Sequence, residues 1–288
     1  MADTDTGSHH ARQAEFWNSP ATQVWADHHE SIDTLFSGVT EAVLKAAAPY
    51  AGEHVLDIGC GGGTTVLQLA ARVGPDGHVV GADISQHSVA SLRERIAAAG
   101  VRNAEALLAD VANYPFQGRR RFDLAFSRFG VMFFGDPTAA FSNVRRAMKP
   151  NGRLALAVFR TPAENPFAIG PFEAVRHLLP TFTPPGPNDP GMFSWADPGR
   201  VHRLLEDAGY RSISLNPLDV VVRFAAPGES TEAAELAMMV GLVSRALAGA
   251  EPELRNAVRS ALTLFFQHHD GPNGFALPAA LWIVEGRA

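Results

Sequence analysis

Residues 55–65 read VLDIGCGGGTT: an apolar run closing on the acid Asp57, four glycines within five residues, then Thr64 and Thr65. The apolar run predicts a buried strand, and the glycines predict a turn almost bare of side chains. In an open parallel sheet, ligands bind beyond the carboxyl ends of the strands. A bare turn there lets a ligand press against backbone N–H groups and the N-terminus of the following helix. Nucleotide-like ligands use this arrangement, and spacing separates the kinds. A dinucleotide site wants G-x-G-x-x-G, but Thr64 stands where the third glycine belongs, and no lysine follows the glycines as a P-loop needs. What remains is acid-x-Gly-x-Gly-x-Gly, with Asp57 two residues before Gly59.

Outward from this stretch, short β-rich runs alternate with helical ones. Strands are predicted at 55–58, 78–83, 104–109, 122–127 and 153–159, with helices near 64–73, 86–99 and 138–148. That alternation favours an α/β, doubly wound parallel sheet with helices on both faces. Turn signals fall between elements: Gly74-Pro75-Asp76-Gly77, Gly100, and Pro150-Asn151-Gly152 before the fifth strand. Ahead of this core, 51–160, residues 1–13 read as a disordered tail. Residues 14–50 read as a helical lid, with Val24, Trp25, Ile32, Leu35, Phe36, Val39, Val43 and Leu44 at helical spacing. Beyond it, 161–197 is rich in proline and aromatic residues, too proline-rich for regular structure and too aromatic for a linker, and reads as a cap over a pocket. The remainder, 198–288, resumes with a helix at 197–208 and a strand at 217–224. A helical insertion follows at 229–269, and the chain closes on a strand-like 275–284.

The acid-and-glycine run resembles motif I of the class I S-adenosylmethionine (SAM)-dependent methyltransferases, and the resemblance continues in order. Asp83 ends the second strand, where the family's acid meets the ribose hydroxyls, with Ile84 after it. Asp110 and Val111 follow the third strand, near the adenine amino group in the family. Ser127 ends the fourth strand, where backbone meets the methionine part of SAM. Pro150-Asn151-Gly152 is similar to the family's P-G-G turn. The run FDLAFSRFGVMFFGDP, 122–137, most resembles the branch related to the ubiquinone/menaquinone-biosynthesis (type 11) methyltransferases. The resemblance covers about 50–160. It implies seven strands with the last antiparallel, a cofactor site at Asp57, Gly59, Gly61, Gly63, Asp83, Ile84, Asp110, Val111 and Ser127, and transfer of the SAM methyl to a small molecule with release of S-adenosylhomocysteine (SAH). A SAM- or SAH-binding protein without transfer activity, serving as an interaction module, is the second reading.

The residue types suit this ligand. Carboxylates are strong charged acceptors for a ribose diol and an ammonium group. In-line methyl displacement draws on alignment more than proton chemistry, and aromatic faces attract a sulfonium cation. Asp57 is compatible with contact through water and with a purely structural role. For the acceptor, His28, His29 and His177 are the candidate bases, each also readable as a solvated or hydrogen-bonded histidine. Arg128 is placed either to bind an acceptor carboxylate or to anchor an acidic loop. A pocket framed by Trp17, Trp25, Phe129, Met132, Phe133, Met192, Phe193 and Trp195 would take an acceptor with an apolar or aromatic part, though such residues commonly form core.

Composition excludes other classes. The chain of 288 residues has formal net charge -6, so no global basic field holds a nucleic acid. The densest basic run, Arg119-Arg120-Arg121, reads as a surface turn. The single cysteine, Cys60, rules out an internal disulfide and a multi-cysteine zinc site, and the adjacent histidine pairs lack the spacing of a metal clip; no metal is expected. No Asp/Asn-Pro-Pro-Tyr follows strand four, where Ser127-Arg128-Phe129-Gly130 stands, which disfavours nucleic-acid amino methylation. No apolar run approaches a membrane span of roughly 18 residues, and no signal peptide is evident, so a cytoplasmic location is expected. The apolar helix at 233–247 is compatible with a homodimer contact or with packing on the sheet.

Overall fold

The computed structural model describes residues 13–19, 23, 27–116, 122–272 and 274–288. Strand β1 (His54–Ile58) carries Val55, Leu56 and Ile58 at 0–1% exposure, as a central strand covered on both faces must. It pairs in parallel with β2 (His78–Asp83) on one side and β4 (Phe122–Arg128) on the other. β3 (Ala104–Leu108) extends the sheet beyond β2, and β5 (Met148–Phe159) beyond β4, both in parallel. β7 (Phe275–Arg287) runs antiparallel to β5, and β6 (Arg211–Ala225) antiparallel to β7. The order β3-β2-β1-β4-β5-β7-β6 gives the expected seven strands with the last antiparallel. Strand order reverses between β1 and β4, which opens a crevice beyond their carboxyl ends.

Helices α1 (His29–Leu35), α2 (Ser37–Ala47), α3 (Thr64–Val73), α4 (Gln86–Ala98) and α5 (Pro137–Ala147) belong to this half. α4 and α5 start where side chains offer caps: Ser85 accepts from the Ser88 N–H, and Asp136 from the Ala139 N–H with Pro137 in the first turn. The segment read as a lid divides in two. α2 buries Val39, Val43, Leu44 and Ala47 against β4, β5 and β7, and is a layer of the core. Only residues before it are placed over the crevice. Residues 1–12 of the expected tail lie outside the described residues, while Gln13 already opens a helical segment, 13–17.

Two local readings are corrected. Pro150-Asn151-Gly152 is no turn before β5 but lies within it. Phe122 pairs with Met148 and Leu124 with Arg153, so β5 bulges, and Asn151 absorbs the bulge at φ 63°, a conformation asparagine tolerates. The 161–197 segment contains a regular helix, α6 (Pro166–Val175). Pro166 occupies its first position, where no N–H is needed. Pro171 lies inside, yet burial of Phe167, Ala168, Phe172 and Val175 holds the helix together.

The cap is pinned to the sheet by polar contacts. Asn165, fully buried, donates to the carbonyls of Thr161 (2.9 Å) and Ala280 (3.0 Å) and accepts from the Ala280 N–H (2.9 Å), locking the start of α6 to β7. The Trp282 indole N–H donates to the Ala196 carbonyl at 3.0 Å, and the Ser194 hydroxyl to the Met132 carbonyl at 2.6 Å. Helix α7 (Pro198–Asp207) then leads into β6, and the insertion forms α8 (Ser230–Met239), α9 (Gly241–Ala246) and α10 (Pro252–Gln267). α8 packs on α10 and β6, and α6 on α9, α10 and β7. Leu236, Met238, Val240, Leu242, Val243 and Leu247 are buried within the chain. Intramolecular packing therefore accounts for the apolarity that suggested a dimer contact. Among the described residues no helix is long and apolar enough to cross a membrane.

Candidate active site

The three odd-numbered glycines of the opening stretch all have positive φ (66°, 53° and 87°) but do different work. A Cβ on Gly59 would lie 2.6 Å from the Gly130 Cα, and one on Gly63 2.2 Å from Leu92 Cδ1. These two are glycines because protein occupies the space. A Cβ on Gly61 would meet nothing within 4 Å. There the bare backbone faces a cavity of about 950 Å3, which runs from the glycine turn, past the ends of β2 and β4, to the cap and insertion.

Asp57 does not line that cavity. It is 1% exposed beneath the turn, where one carboxylate oxygen accepts from the Thr65 hydroxyl at 2.5 Å and the other has no hydrogen-bond partner among the described residues. Burial pushes its carboxyl up to about 7, against the opposing pull of the Thr65 hydrogen bond and of Arg128. Ser127, fully buried, is also behind the wall. Its hydroxyl donates to the Ile58 carbonyl (2.7 Å) and accepts from the Gly130 N–H (3.1 Å), stitching the ends of β1 and β4 together.

Asp83 does line the cavity. Its two oxygens accept from the Gly61 N–H and the Ser85 N–H, each at 2.9 Å, so backbone fixes the carboxylate while lone pairs remain for a ligand. Burial raises its pKa, and those N–H bonds oppose the rise. Ile84, Asp110 and Val111 line the same end. One Asp110 oxygen accepts from the Ala112 N–H at 3.0 Å, which orients that side chain. Cys60 is buried, and burial holds its thiol well above the ordinary value, so it stays protonated. An open glycine cradle flanked by two oriented carboxylates fits the adenosyl part of SAM.

The remaining wall is mostly apolar. Trp17, Phe129, Met132, Phe133, Met192 and Phe193 all line it. Trp17 meets Phe133 edge-on at 4.9 Å, and Phe129, in the left-handed region at φ 73°, stacks on Phe159 at 4.6 Å. Trp195 is placed elsewhere: it is 1% exposed in the core against Phe141. Trp25 lies outside the described residues, as do the arginines 119–121. Of the histidines, His28 and His177 are exposed and outside the cavity. His29 lines it, with its Cβ 3.3 Å from where a Cβ on Gly62 would be, beside the glycine turn.

Arg128 is committed to α1 and α2. It donates to an Asp33 oxygen at 2.6 Å and to the Thr40 hydroxyl at 2.7 Å. The other Asp33 oxygen accepts from the Thr64 hydroxyl, and Arg95 donates to both the Thr64 hydroxyl (3.0 Å) and the Gly62 carbonyl (2.6 Å). Asp33 thus ties α1 to the glycine turn and to the end of β4. Sequence reading missed Asp33 because an exposed-looking acid in an amphipathic helix gives no sign of a partner 31 residues away.

Two outcomes follow for the turn. Gly59→Val should destabilise the fold by more than about 3 kcal/mol, since the new side chain would overlap the Gly130 backbone, as urea unfolding would record. For Asp57, the unfolded carboxyl ionises near 4 while the folded one holds its proton to about 7. The folded state therefore binds more protons, and this group's contribution to stability is lost as pH rises through that window. Asp57→Asn retains an acceptor for Thr65 and removes the dependence. Its stability relative to the parent should rise by on the order of 2–4 kcal/mol between about pH 4.5 and 8. A pH-independent difference in urea midpoints would contradict the assignment.

Comparison with known proteins agrees with this geometry. Residues 50–209 match the family model described as "Methyltransferase domain". The chain is 30% identical over 190 residues to demethylmenaquinone methyltransferase of Corynebacterium kroppenstedtii, covering 63% of this chain and 77% of that one. It is 30% identical over 176 residues to the aklanonic acid methyltransferase DauC of a Streptomyces species, covering 60% and 76%. In fold it is similar to Haemonchus contortus phosphoethanolamine N-methyltransferase 2, solved with SAM, at TM-score 0.58 and 16% identity, covering 95% of this chain and 59% of that one. With its crevice at the β1/β4 switch point and this match over more than half of its length, the chain belongs to the methyltransferase-domain family and is a SAM-dependent small-molecule methyltransferase of the ubiquinone/menaquinone type.

Proposed function

We propose that the acceptor is a partly apolar small molecule held between the end of β4, the cap and the insertion, with the adenosyl part of SAM at the glycine turn. The observation that carries this reading is the division of one continuous cavity. Its glycine end carries the oriented carboxylates Asp83 and Asp110, while its other end is walled by Trp17, Phe133, Ile169, Phe172, Met192 and Phe193. A wholly hydrophilic acceptor would give up hydration against these apolar side chains. By their names, the relatives act on demethylmenaquinone and on aklanonic acid, and an acceptor of comparable apolarity suits this wall.

SAM supplies the electrophilic methyl group on its sulfonium. The chain's own residues do the positioning. The backbone at Gly61 leaves room for the ligand, Asp83 receives the ribose hydroxyls, and Asp110 with Val111 flanks the adenine. Phe129, wedged against Phe36 (5.0 Å) and Phe159, gives a rigid apolar floor near the transfer point. Alignment of this kind lowers a displacement barrier without a proton relay. His29 lies beside the glycine turn, on the cofactor side, and is assigned no role as a base.

Asp83→Ala should weaken SAM binding by about 1.5–3 kcal/mol, the range for hydrogen bonds to a charged group. Calorimetric titration measures it, and an unchanged affinity would move the ribose elsewhere. Gly61→Val should remain folded yet lose SAM binding, because its side chain enters the cradle. A folded variant with parental affinity would refute the cradle. For the acceptor, labelled methyl from SAM should enter hydroxylated naphthalenes and quinols in preference to small hydrophilic amines, and His29→Ala should keep kcat within about tenfold. Labelling confined to the amines would refute an apolar acceptor. A loss of about a hundredfold or more would make His29 the base.

A further inference from the structure

Three arginines line the cavity, and two are already engaged by carboxylates. Arg128 pairs with Asp33 at 2.6 Å, and Arg176 with Glu173 at 3.1 Å. The third, Arg245 on α9, has no carboxylate within 4 Å among the described residues. Its Nη1 donates to the Pro190 carbonyl at 3.2 Å, and its guanidinium lies 5.5 Å from the centre of the Phe16 ring. No other hydrogen bond from its N–H groups reaches a described residue. The nearby acid, Asp189, also lines the cavity, makes no ion pair with Arg245 within 4 Å, and accepts from the Gly186 N–H at 2.9 Å. Asp197 is likewise spent capping α7 through the Gly199 and Arg200 N–H groups.

The remaining N–H donors of this half-buried guanidinium belong to the cavity wall, where a ligand can replace solvent as their partner. Burial pulls the Arg245 pKa below its usual value, with the Asp189 charge opposing. An arginine still keeps its proton at any physiological pH. The side chain also stands at a junction of three segments: the helical stretch 13–17 supplies Phe16, the cap supplies Pro190, and the insertion supplies Arg245 itself. All three segments contribute residues to the cavity wall. A planar fork of N–H donors set into an apolar wall matches one chemistry, an oxygen anion on an otherwise apolar ring system.

We infer that Arg245 is the acceptor-binding residue that selects an acceptor bearing a ring carboxylate, and that it does so from the wall where the cap, the insertion and the 13–17 stretch meet. The inference rests on the acceptor reading above and adds a charge requirement to it. The Pro190 carbonyl fixes one arm of the fork, the Phe16 face supports its plane, and the remaining donors point the specificity.

The test uses the full chain loaded with SAH and two probes titrated by calorimetry, 1-naphthol and 1-hydroxy-2-naphthoate, which differ by a carboxylate. The parent should bind the carboxylate probe about tenfold or more tightly than the naphthol, as a charge-assisted pair implies. Arg245→Gln should reduce that preference to about twofold or less while leaving SAH affinity unchanged. Arg245→Lys, which keeps the charge without the fork, should retain a reduced preference. Unchanged SAH affinity certifies that each variant is folded. If Arg245→Gln fails that check, the lysine variant decides: a preference equal to the parent's would overturn the fork. Full preference persisting in the glutamine variant, or none in the parent, overturns the assignment of Arg245 and leaves the apolar acceptor standing. Failure of both probes to bind the parent overturns the acceptor reading and the inference together. A third probe, 2-naphthoate, lacks the hydroxyl: binding as tight as the hydroxy acid identifies the carboxylate as the group read, and binding no tighter than the naphthol overturns the assignment.

Discussion

The approach of two backbones at the reversal of strand order holds this site open. Gly59 at the end of β1 and Gly130 just past β4 are so close that a Cβ on Gly130 would lie 2.5 Å from the Ile58 carbonyl oxygen. The Ser127 hydroxyl bridges the same carbonyl and the Gly130 N–H. With the two strand ends fastened at this point, the chain must leave in opposite directions, to α3 on one side and toward Met132 and Phe133 on the other. The crevice between those exits receives the cofactor. Asp57 beneath and Asp83 beside the turn are placed by that same constraint, one facing protein and the other facing the cavity.

The sequence made the sheet legible because its strands are short apolar runs set between strong turn signals, and because parallel strands need helical crossovers of adequate length. It made the cofactor end legible because Asp83 closes β2 and Asp110 lies just past β3, where backbone N–H groups orient them. It misled where local chemistry and tertiary packing disagree. Pro171 argues against a helix, but the burial of four apolar side chains outweighs one missing donor. Pro150-Asn151-Gly152 carries every mark of a turn, yet pairing on either side converts it to a bulge. Ser127 and Trp195 show the same limit. Position after a strand, or aromatic character, does not reveal which way a side chain points.

What sequence could not convey at all are the long-range polar ties. Asp33 and Thr64, Asn165 and Ala280, and Trp282 and Ala196 are far apart along the chain and unremarkable in composition. Each is a hydrogen bond whose partners are recognised only once both segments are placed. These ties decide that 161–197 is a fixed wall and that α1 is fastened to the glycine turn. Arg245 escaped notice for the same reason, since in sequence it is one of three arginines in the helical insertion.

The way the cap is fastened has a consequence for how this enzyme type diversifies. Asn165, Ser194 and Trp282 hold the cap to the body through main-chain partners, whose chemistry does not depend on residue identity. The side chains that face the cavity, among them Phe172, Met192 and Phe193, take no part in those bonds. Frame and lining are therefore chemically independent. Substitutions in the lining reshape the chamber while the scaffold and its methyl-donor seat stay as they are, so a new acceptor range is reachable through single, separable changes.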